Sequence, residues 1–361
     1  MTKSQRNHID LATLIAVLTL MVLSLGVVYS ASATWAMEKF GESNRLLNLH
    51  ALKVLLGLVA LFVGMTIDYK KLRKLTKLAV IISIVFLSIT LMLGGEVKGA
   101  ARWLRFGGLS FQPSELAKFA LLFHLCSLIS TKGEAIKDLR KGFLPMMIWI
   151  GSVAGLVLLQ PNFSTGAMVI LISLVMLFIS RARFTHLFAT LGAALPLLAG
   201  IALTHPHVMQ RINSFINGSS SSGKLNYQLL QGIIGFGNGN VFGVGPGLSK
   251  QRDFFLPESY GDFVFSIVGE EYGFVGTMFF MALFLFIMLR GFKITKFARD
   301  EFGRLLAIGI TSAITLYALV NAGVTLGILP TTGLPMPFVS YGGSSLVFSS
   351  FAVGVLLNIS A

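Results

Sequence analysis

Long apolar runs separated by short polar segments recur along the whole chain. Ten of these runs are long enough to cross about 30 Å of hydrocarbon as helices. The pattern therefore predicts an all-α polytopic membrane protein with about ten transmembrane helices, a single membrane domain over residues 1–361, and both termini on one side. The predicted spans cover residues 11–32, 47–67, 76–95, 114–131, 143–160, 164–181, 184–204, 262–290, 304–327 and 343–359.

Composition supports this interpretation, and the charge distribution adds an orientation. Of the 361 residues, 54% are hydrophobic and 12% are charged, which is about half the charged fraction of an average soluble domain. The net charge of +14 is interpreted as a topology signal, because most of the Lys and Arg residues fall in short loops on the side of the termini. Both termini are therefore expected to be cytoplasmic, and no nucleic-acid partner is predicted.

Several kinds of site find no support in the sequence. Cys126 is the single cysteine, so an intramolecular disulfide is impossible, and the histidines lack zinc-ligand spacing. The glycine-rich run at 232–247 contains no P-loop pattern. Its expected role is close backbone packing or a re-entrant turn.

Three longer loops lie on the outer face, opposite the termini. They cover residues 96–113, 205–261 and 328–342, and the third contains three prolines in "LPTTGLPMPFVSYGG", which is too irregular for a helix. Loops held by a rigid scaffold often carry binding and catalytic residues. A functional site is therefore expected on this face.

Carboxylates cluster where the second of these loops enters the next apolar run. In "LPESYGDFVFSIVGEEYG" (256–273), Asp262 falls near the first turn of the predicted helix, where a carboxylate can act as a cap. Glu270 and Glu271 lie two to three turns deeper and must face the bundle interior, a wet cavity or a partner charge. The stretch can thus be a helix start or a functional site. The depth of Glu270 and Glu271 within the apolar run favours a functional site.

A second polar group opens another predicted span at "QPSELAKFA" (112–120). Ser114 is a plausible helix cap. Glu115 and Lys118 are three residues apart, so they share a helix face and can form an ion pair. The pair is either a local contact at the membrane interface or part of the lining of an outer cavity.

Cations and aromatic residues alternate in the outer loops. Such residues can anchor the protein at the membrane interface, or their positive charges can bind a phosphate or pyrophosphate, for which Arg offers bidentate geometry. Their proximity to carboxylates favours the second interpretation. The cations are Arg102, Arg105, Arg211, Lys250 and Arg252.

Five motifs, in this order along the chain, resemble the SEDS family, which comprises the FtsW and RodA membrane proteins of bacterial wall synthesis. The resemblance covers essentially the whole chain, and details such as "VYSASA" (28–33) lean towards the FtsW type. The motifs are "RWLRFGGLSFQPSELAK" (102–118), "LLQPNFSTG" (158–166), "YQLLQGIIGFGNGNVFGVGPG" (227–247), "KQRDFFLPESYGDFVFSIVGEEYGFVG" (250–276) and "LPTTGLPMPFVSYGGSS" (329–345).

The resemblance implies a peptidoglycan glycosyltransferase that polymerises lipid II into β-1,4 glycan strands and releases undecaprenyl pyrophosphate. It places the protein in the bacterial cytoplasmic (inner) membrane with its active site on the outer face. The implied partners are a class B penicillin-binding protein, which is a transpeptidase, and other divisome membrane proteins. No motif demands a cofactor, although a divalent cation (Mg²⁺ or Mn²⁺) could assist.

The same resemblance assigns residue roles. The family's catalytic aspartate falls on Asp262, which we expect to act as the general base. One departure is Asn162, which stands where the family usually has an aspartate. The residues expected to contact substrate are Arg102, Arg105, Glu115, Lys118, Arg211, Lys250, Arg252, Glu271 and Ser340.

Other functions remain open on the sequence. A flippase for a lipid-linked precursor would also carry intramembrane carboxylates, but no inverted repeat is evident and the polar residues crowd the outer face. A RodA-like polymerase of cell elongation and a non-catalytic divisome scaffold are the remaining alternatives.

Overall fold

The computed structural model describes residues 9–93, 102–106, 109–216 and 224–361. Within these ranges the chain is helical except for loops and one short hairpin of β1 (Leu104–Phe106) and β2 (Leu109–Phe111). The helices are α1 (Leu11–Phe40), α2 (Arg45–Thr66), α3 (Tyr69–Leu93), α4 (Pro113–Lys132), α5 (Leu144–Leu159), α6 (Phe163–Ile179), α7 (Phe184–Thr204), α8 (Pro206–Ile216), α9 (Lys224–Gly239), α10 (Val264–Phe297), α11 (Glu301–Thr325) and α12 (Gly343–Ser360).

Each of the ten predicted spans coincides with one of these helices, so the all-α polytopic prediction is confirmed. In the described part of the chain, nine helices are long and apolar enough to cross a membrane, and the shorter apolar helix α6 is the tenth. Three helix ends differ from the prediction by seven or eight residues, and one of them is the end of α1, which continues to Phe40 rather than stopping at 32. α3 begins at Tyr69 rather than 76, so the basic cluster at 70–77 forms its first turns, and α10 continues to Phe297.

The helices that coincide with the ten predicted spans alternate in direction. The segments that join α3 to α4, α7 to α10 and α11 to α12 therefore start and finish at one end of the bundle, called here the Asp262 end. α11 and α12 are largely buried among the other helices, whereas α7 is almost entirely exposed. The helical core therefore supports the Asp262 end from below, and α7 lies at its periphery.

Glycines allow close backbone contact between α2 and α12. A Cβ atom on Gly64 would lie 2.4 Å from the carbonyl oxygen of Phe351, and one on Gly354 would lie 2.2 Å from that of Leu61. Without a hydrophobic driving force between helices in lipid, such close backbone approach is a main source of attraction. The two helices pack as a pair because these positions have no side chain.

α10 is broken at Gly273, whose φ is +63° and ψ is −161°. The carbonyls of Glu270 and Glu271 accept N–H groups from Val244 and Gly245 at 2.9 and 3.0 Å. These bonds replace the helical hydrogen bonds that are lost at the break. Such replacement is needed because a backbone carbonyl without a partner is costly in a low-dielectric environment. The segment after α9 is thus inserted into the break.

The glycine-rich run enables this insertion. Gly232 lies against Phe263, and a Cβ on Gly239 would be 1.9 Å from the carbonyl oxygen of Gly269. α9 therefore runs alongside α10 in the same direction before the chain returns towards the Asp262 end. The predicted close backbone packing at 232–247 is confirmed.

The loop predicted at 205–261 is more ordered than its polar composition indicates. It contains α8 and α9, which the sequence analysis does not predict because both are short and α8 is amphipathic. The segment at 326–342 contains no helix, as its prolines indicate.

Candidate active site around Asp262

Asp262 ends the turn that leads into α10. Phe263 occupies the N-cap position of α10 and makes no capping side-chain bond, so Asp262 lies one residue before the cap. Its backbone carbonyl accepts a hydrogen bond from Nδ2 of Asn321 at 2.8 Å, and the same amide donates to the carbonyl of Leu334 at 2.8 Å. Asn321 of α11 therefore joins the Asp262 turn to the proline-rich segment.

Gly333 lies between the carboxylate of Asp262 and the guanidinium of Arg211. A Cβ atom on Gly333 would be 3.2 Å from Oδ2 of Asp262 and 3.8 Å from Nη2 of Arg211. Arg211 in turn donates from Nη1 to the carbonyl of Thr332 at 3.0 Å. The carboxylate and the guanidinium thus face one point on the Gly333 segment.

Arg102 supplies a second cation to this group. Its Nε donates to the carbonyl of Gln160 at 3.3 Å, and its Nη2 donates to that of Pro161. Burial lowers the pKa of the Arg102 guanidinium, the charge of Arg211 lowers it further, and the carboxylate of Asp262 opposes both effects. Burial also lowers the pKa of Arg211, again opposed by Asp262. The three side chains therefore interact electrostatically.

Glu115 and Lys118 form the predicted ion pair, with 2.7 Å between Oε2 and Nζ. Both side chains are 3% exposed, so the pair lies inside the bundle and not at an exposed interface. The ammonium of Lys118 is 4.0 Å from the ring centroid of Tyr317. Tyr317 is one helical turn from Asn321, which places the pair about one turn below the Asp262 contact.

Ser114 is not the cap of α4, which begins at Pro113 with Gln112 at the N-cap. The Ser114 hydroxyl instead accepts from Nδ2 of Asn162 at 3.4 Å. Asn162 therefore links the starts of α4 and α6 with a neutral side chain. The capping prediction failed because Pro113 itself occupies the first helical position.

The deeper carboxylates fasten the chain segment that precedes the Asp262 turn. Glu270 accepts from the Ser249 hydroxyl, from the Gln251 N–H at 3.1 Å and from Asn238 Nδ2 at 3.1 Å. Glu271 accepts from the hydroxyl of Ser30.

Arg252 joins this second cluster, because its Nη1 donates to the same Ser30 hydroxyl at 3.1 Å. Glu271 lies nine residues beyond Asp262, which corresponds to about two and a half helical turns, or on the order of 13 Å. Glu271 and Arg252 are therefore grouped with each other rather than with Arg102 and Arg211.

The other predicted substrate contacts have separate positions. Ser340 is buried, and its hydroxyl accepts from the N–H of Met336 at 2.8 Å, so it closes the turn at 336–340. Lys250 is exposed. Arg105 pairs with Ser110 through the hairpin backbone, while its side chain lies outside the described residues.

Asn321 and Gly333 were missed by the sequence analysis. An amide within a predicted span is itself a signal, because polar side chains in lipid-embedded helices face a partner. Asn321 could therefore have been found from its position in the run 304–327. Gly333 carries no comparable signal, since its role depends on what surrounds it.

A divalent cation would find one carboxylate ligand here, Asp262. No group of three or more His, Cys, Asp or Glu side chains that could hold a metal occurs among the described residues. Mg²⁺ commonly uses one or two carboxylates together with substrate phosphates. The residues therefore fit a metal carried by a phosphorylated substrate better than one held by the protein alone.

Comparison with protein families gives a match over almost the whole chain. The family profile for FtsW, RodA and SpoVE, described as "Cell cycle protein", matches residues 11–361. A probable peptidoglycan glycosyltransferase FtsW from Trichlorobacter lovleyi is 37% identical over 98% of this chain and 93% of its own. Stage V sporulation protein E from Bacillus subtilis is 38% identical over 99% of this chain and 98% of its own.

Solved structures share the fold. A chain from a peptidoglycan synthase complex that coordinates polymerization and crosslinking superposes with a TM-score of 0.79, at 26% identity and 98% coverage of both chains. The rod shape determining protein RodA of Thermus thermophilus superposes with a TM-score of 0.72, at 25% identity, over 98% of this chain and 97% of its own.

Proposed function

The chain belongs to the FtsW, RodA and SpoVE family, and from that premise we propose that it is a peptidoglycan glycosyltransferase that polymerises lipid II, of the FtsW type that acts in cell division. Identity of 37% over nearly the whole length to FtsW proteins supports the assignment. The observation that carries the chemistry is the approach of the Asp262 carboxylate and the Arg211 guanidinium to the same point at Gly333.

In the proposed reaction Asp262 is the general base. It removes the proton from the 4-hydroxyl of the N-acetylglucosamine on one lipid II, and that oxygen attacks C1 of the N-acetylmuramic acid on a growing lipid-linked strand. The bond from C1 to the pyrophosphate breaks, and undecaprenyl pyrophosphate leaves. An α-linked donor and a β-1,4 product require one inverting displacement, so one base is sufficient.

Arg211 and Arg102 stabilise the leaving group. Pyrophosphate needs charge neutralisation more than protonation, and preorganised cations in a water-poor site supply it effectively. Both guanidiniums are held by backbone carbonyls, which fixes them before substrate arrives. If Mg²⁺ or Mn²⁺ accompanies the substrate, it would add positive charge at the phosphates and Asp262 could be one ligand.

The proposed setting is the bacterial cytoplasmic membrane, with the Asp262 end on the outer face where lipid II is polymerised. The basic residues in the loops at the opposite end support this orientation. A class B penicillin-binding protein is the proposed partner, supported by the likeness to a chain from a synthase complex that couples polymerization to crosslinking.

The first test is Asp262→Asn. This change keeps the shape of the side chain and removes the base, so polymerisation should fall by about 100- to 10,000-fold. The assay uses purified protein with its partner, lipid II as substrate, and gel separation of glycan products. Asp253→Asn is the matched control, because Asp253 is a carboxylate of the same loop that contacts Thr34 instead.

Three outcomes distinguish the candidates. Polymer from Asp262→Asn at the wild-type rate would overturn the assignment of the base. Lipid II translocation across vesicles without any polymer would favour the flippase. Full function of the mutant in dividing cells would favour a non-catalytic scaffold.

A further inference from the structure

A cavity of about 150 Å³ lies beside the Asp262 site. Its walls come from the start of α6, from α8, from α11 and from the proline-rich segment. They are almost entirely apolar, with the side chains of Ala167, Met168, Val208, Ile212, Val320 and Leu334. The reaction steps proposed above leave this cavity without a role.

One edge of the cavity is polar. Arg211, whose guanidinium lies near Gly333 and Asp262, is part of its lining, as are Thr331 and Thr332. The Thr331 residue is 8% exposed, and its hydroxyl makes no hydrogen bond to any described residue. A buried hydroxyl is rarely left without a partner, so this edge is suited to a ligand with hydrogen-bond acceptors.

Size and lining together select the kind of group that fits. An engineered apolar cavity of similar volume in another protein holds one benzene molecule, which indicates room for about five or six carbon atoms. A sugar ring would bring several hydroxyls that these walls cannot satisfy. A short branched hydrocarbon satisfies both limits.

We propose that this cavity binds the first isoprene unit of the prenyl pyrophosphate carrier, with the phosphates at Arg211 and the Thr331 hydroxyl. The inference rests on the proposed function. The order in space agrees with it: Asp262 lies at the reacting sugar, Arg211 at the pyrophosphate, and the apolar cavity beyond Arg211. The donor lipid has its sugar, pyrophosphate and hydrocarbon in the same order.

This site would recognise the carrier at the carbon atoms nearest to the reaction. Binding energy from that part of the donor would position C1 without touching it, which raises the effective concentration of the reacting atoms. An ordinary phospholipid tail lacks a branched group directly next to a pyrophosphate. The cavity therefore distinguishes the donor from surrounding lipids.

The test measures binding with water-soluble probes and detergent-purified protein. Inorganic pyrophosphate and dimethylallyl pyrophosphate differ by one isoprene unit. Burial of that unit should make dimethylallyl pyrophosphate bind at least tenfold more tightly to the wild type. Isothermal calorimetry on the full chain gives both constants.

Two substitutions locate the effect. Ala167→Phe fills the cavity. It should reduce the margin, which is the ratio of the affinity for dimethylallyl pyrophosphate to that for pyrophosphate, from tenfold to twofold or less, while pyrophosphate alone binds as before. Retained pyrophosphate binding also shows that the variant is folded, and Val320→Phe fills the cavity from α11 if the first variant is unstable. Ala189→Phe, in an apolar groove between α5 and α7, is the matched control and should keep the margin.

Equal affinities of the two probes for the wild type would overturn the proposal, and so would a margin that survives both cavity-filling variants. N-acetylglucosamine 1-phosphate probes the alternative occupant, the acetamido group of the sugar. If Ala167→Phe loses affinity for this probe, the cavity belongs to the acetamido group, and the proposal of an isoprene site is overturned. This experiment measures binding, so it is independent of the test of the general base. Normal polymerisation by Asp262→Asn would contradict the role proposed for Asp262 but would leave the expected affinities of the two probes unchanged.

Discussion

At the scale of single residues, Gly333 combines a backbone constraint with a contact to the site. Its φ is +75°, a region that side-chain-bearing residues rarely adopt, and an added methyl would be 3.2 Å from the Asp262 carboxylate. The residue therefore controls both the path of the proline-rich segment and the position of the proposed base.

Gly333→Ala should therefore reduce lipid II polymerisation at least tenfold, since small displacements of catalytic groups have effects of this size or larger. The protein should still fold and elute as a single species. Gly41→Ala is the control, because Gly41 has φ of +74° with nothing within 4 Å of the added methyl. If both variants lose activity equally, backbone strain alone explains the result.

Lys118 provides a second residue-scale prediction, this time for stability. Lys118→Met leaves Glu115 as an uncompensated buried charge, so the free energy of unfolding should fall by about 3–5 kcal/mol. The measurement is unfolding in mixed micelles of denaturing detergent. Adding Glu115→Gln should recover most of the loss.

The exposed pair of Lys137 and Glu134 is the comparison for this prediction. Both side chains are solvated, and exposed ion pairs contribute little. Lys137→Met should therefore leave the unfolding transition unchanged. A similar loss in both lysine variants would contradict the argument from burial.

At the scale of elements, the pairing of α2 with α12 depends on the absence of side chains at two glycines. Gly354→Ala should lower the thermal unfolding temperature, because the methyl would overlap the backbone of α2 at Leu61. Gly151→Ala, on α5 with nothing within 4 Å, should leave it unchanged or slightly higher, since alanine favours helix. Fluorescence-detected unfolding in detergent measures both, and equal behaviour would contradict the packing argument.

The break in α10 shows how an element can depend on another part of the chain. Its free carbonyls at Glu270 and Glu271 are satisfied by residues 244 and 245, and the two carboxylates bind the same returning segment. The hydropathy of this run predicts a continuous helix, and it contains no proline. The break was therefore invisible in the pattern.

At the scale of the whole molecule, the basic loops predict the orientation of the protein in the membrane. A cysteine at Lys250, on the Asp262 end, should react with a membrane-impermeant maleimide added outside intact cells, whereas one at Lys141 should react only after permeabilisation. Cys126 is fully buried, so it adds no background. Labelling of the Lys141 position from outside would contradict the proposed topology.

Hydropathy predicted the spans well because a chain in hydrocarbon must form its backbone hydrogen bonds internally. A helix does this with residues that are close in the sequence. It set the start of α3 too late, since the basic residues at 70–77 interrupt the apolar run while remaining helical. It did not indicate α8 or α9, which owe their stability to neighbouring helices.

The sequence by itself determined the ten apolar spans. Its basic loops and its resemblance to a family predicted their orientation in the membrane and the role of Asp262. Each of these depends on neighbouring residues or on a motif. Only the tertiary structure decided that Arg102 and Arg211 approach Asp262 while Arg252 joins Glu271. Arg102, Arg211 and Asp262 come from segments far apart in the chain, and the packing of the helices beneath sets the distances between them.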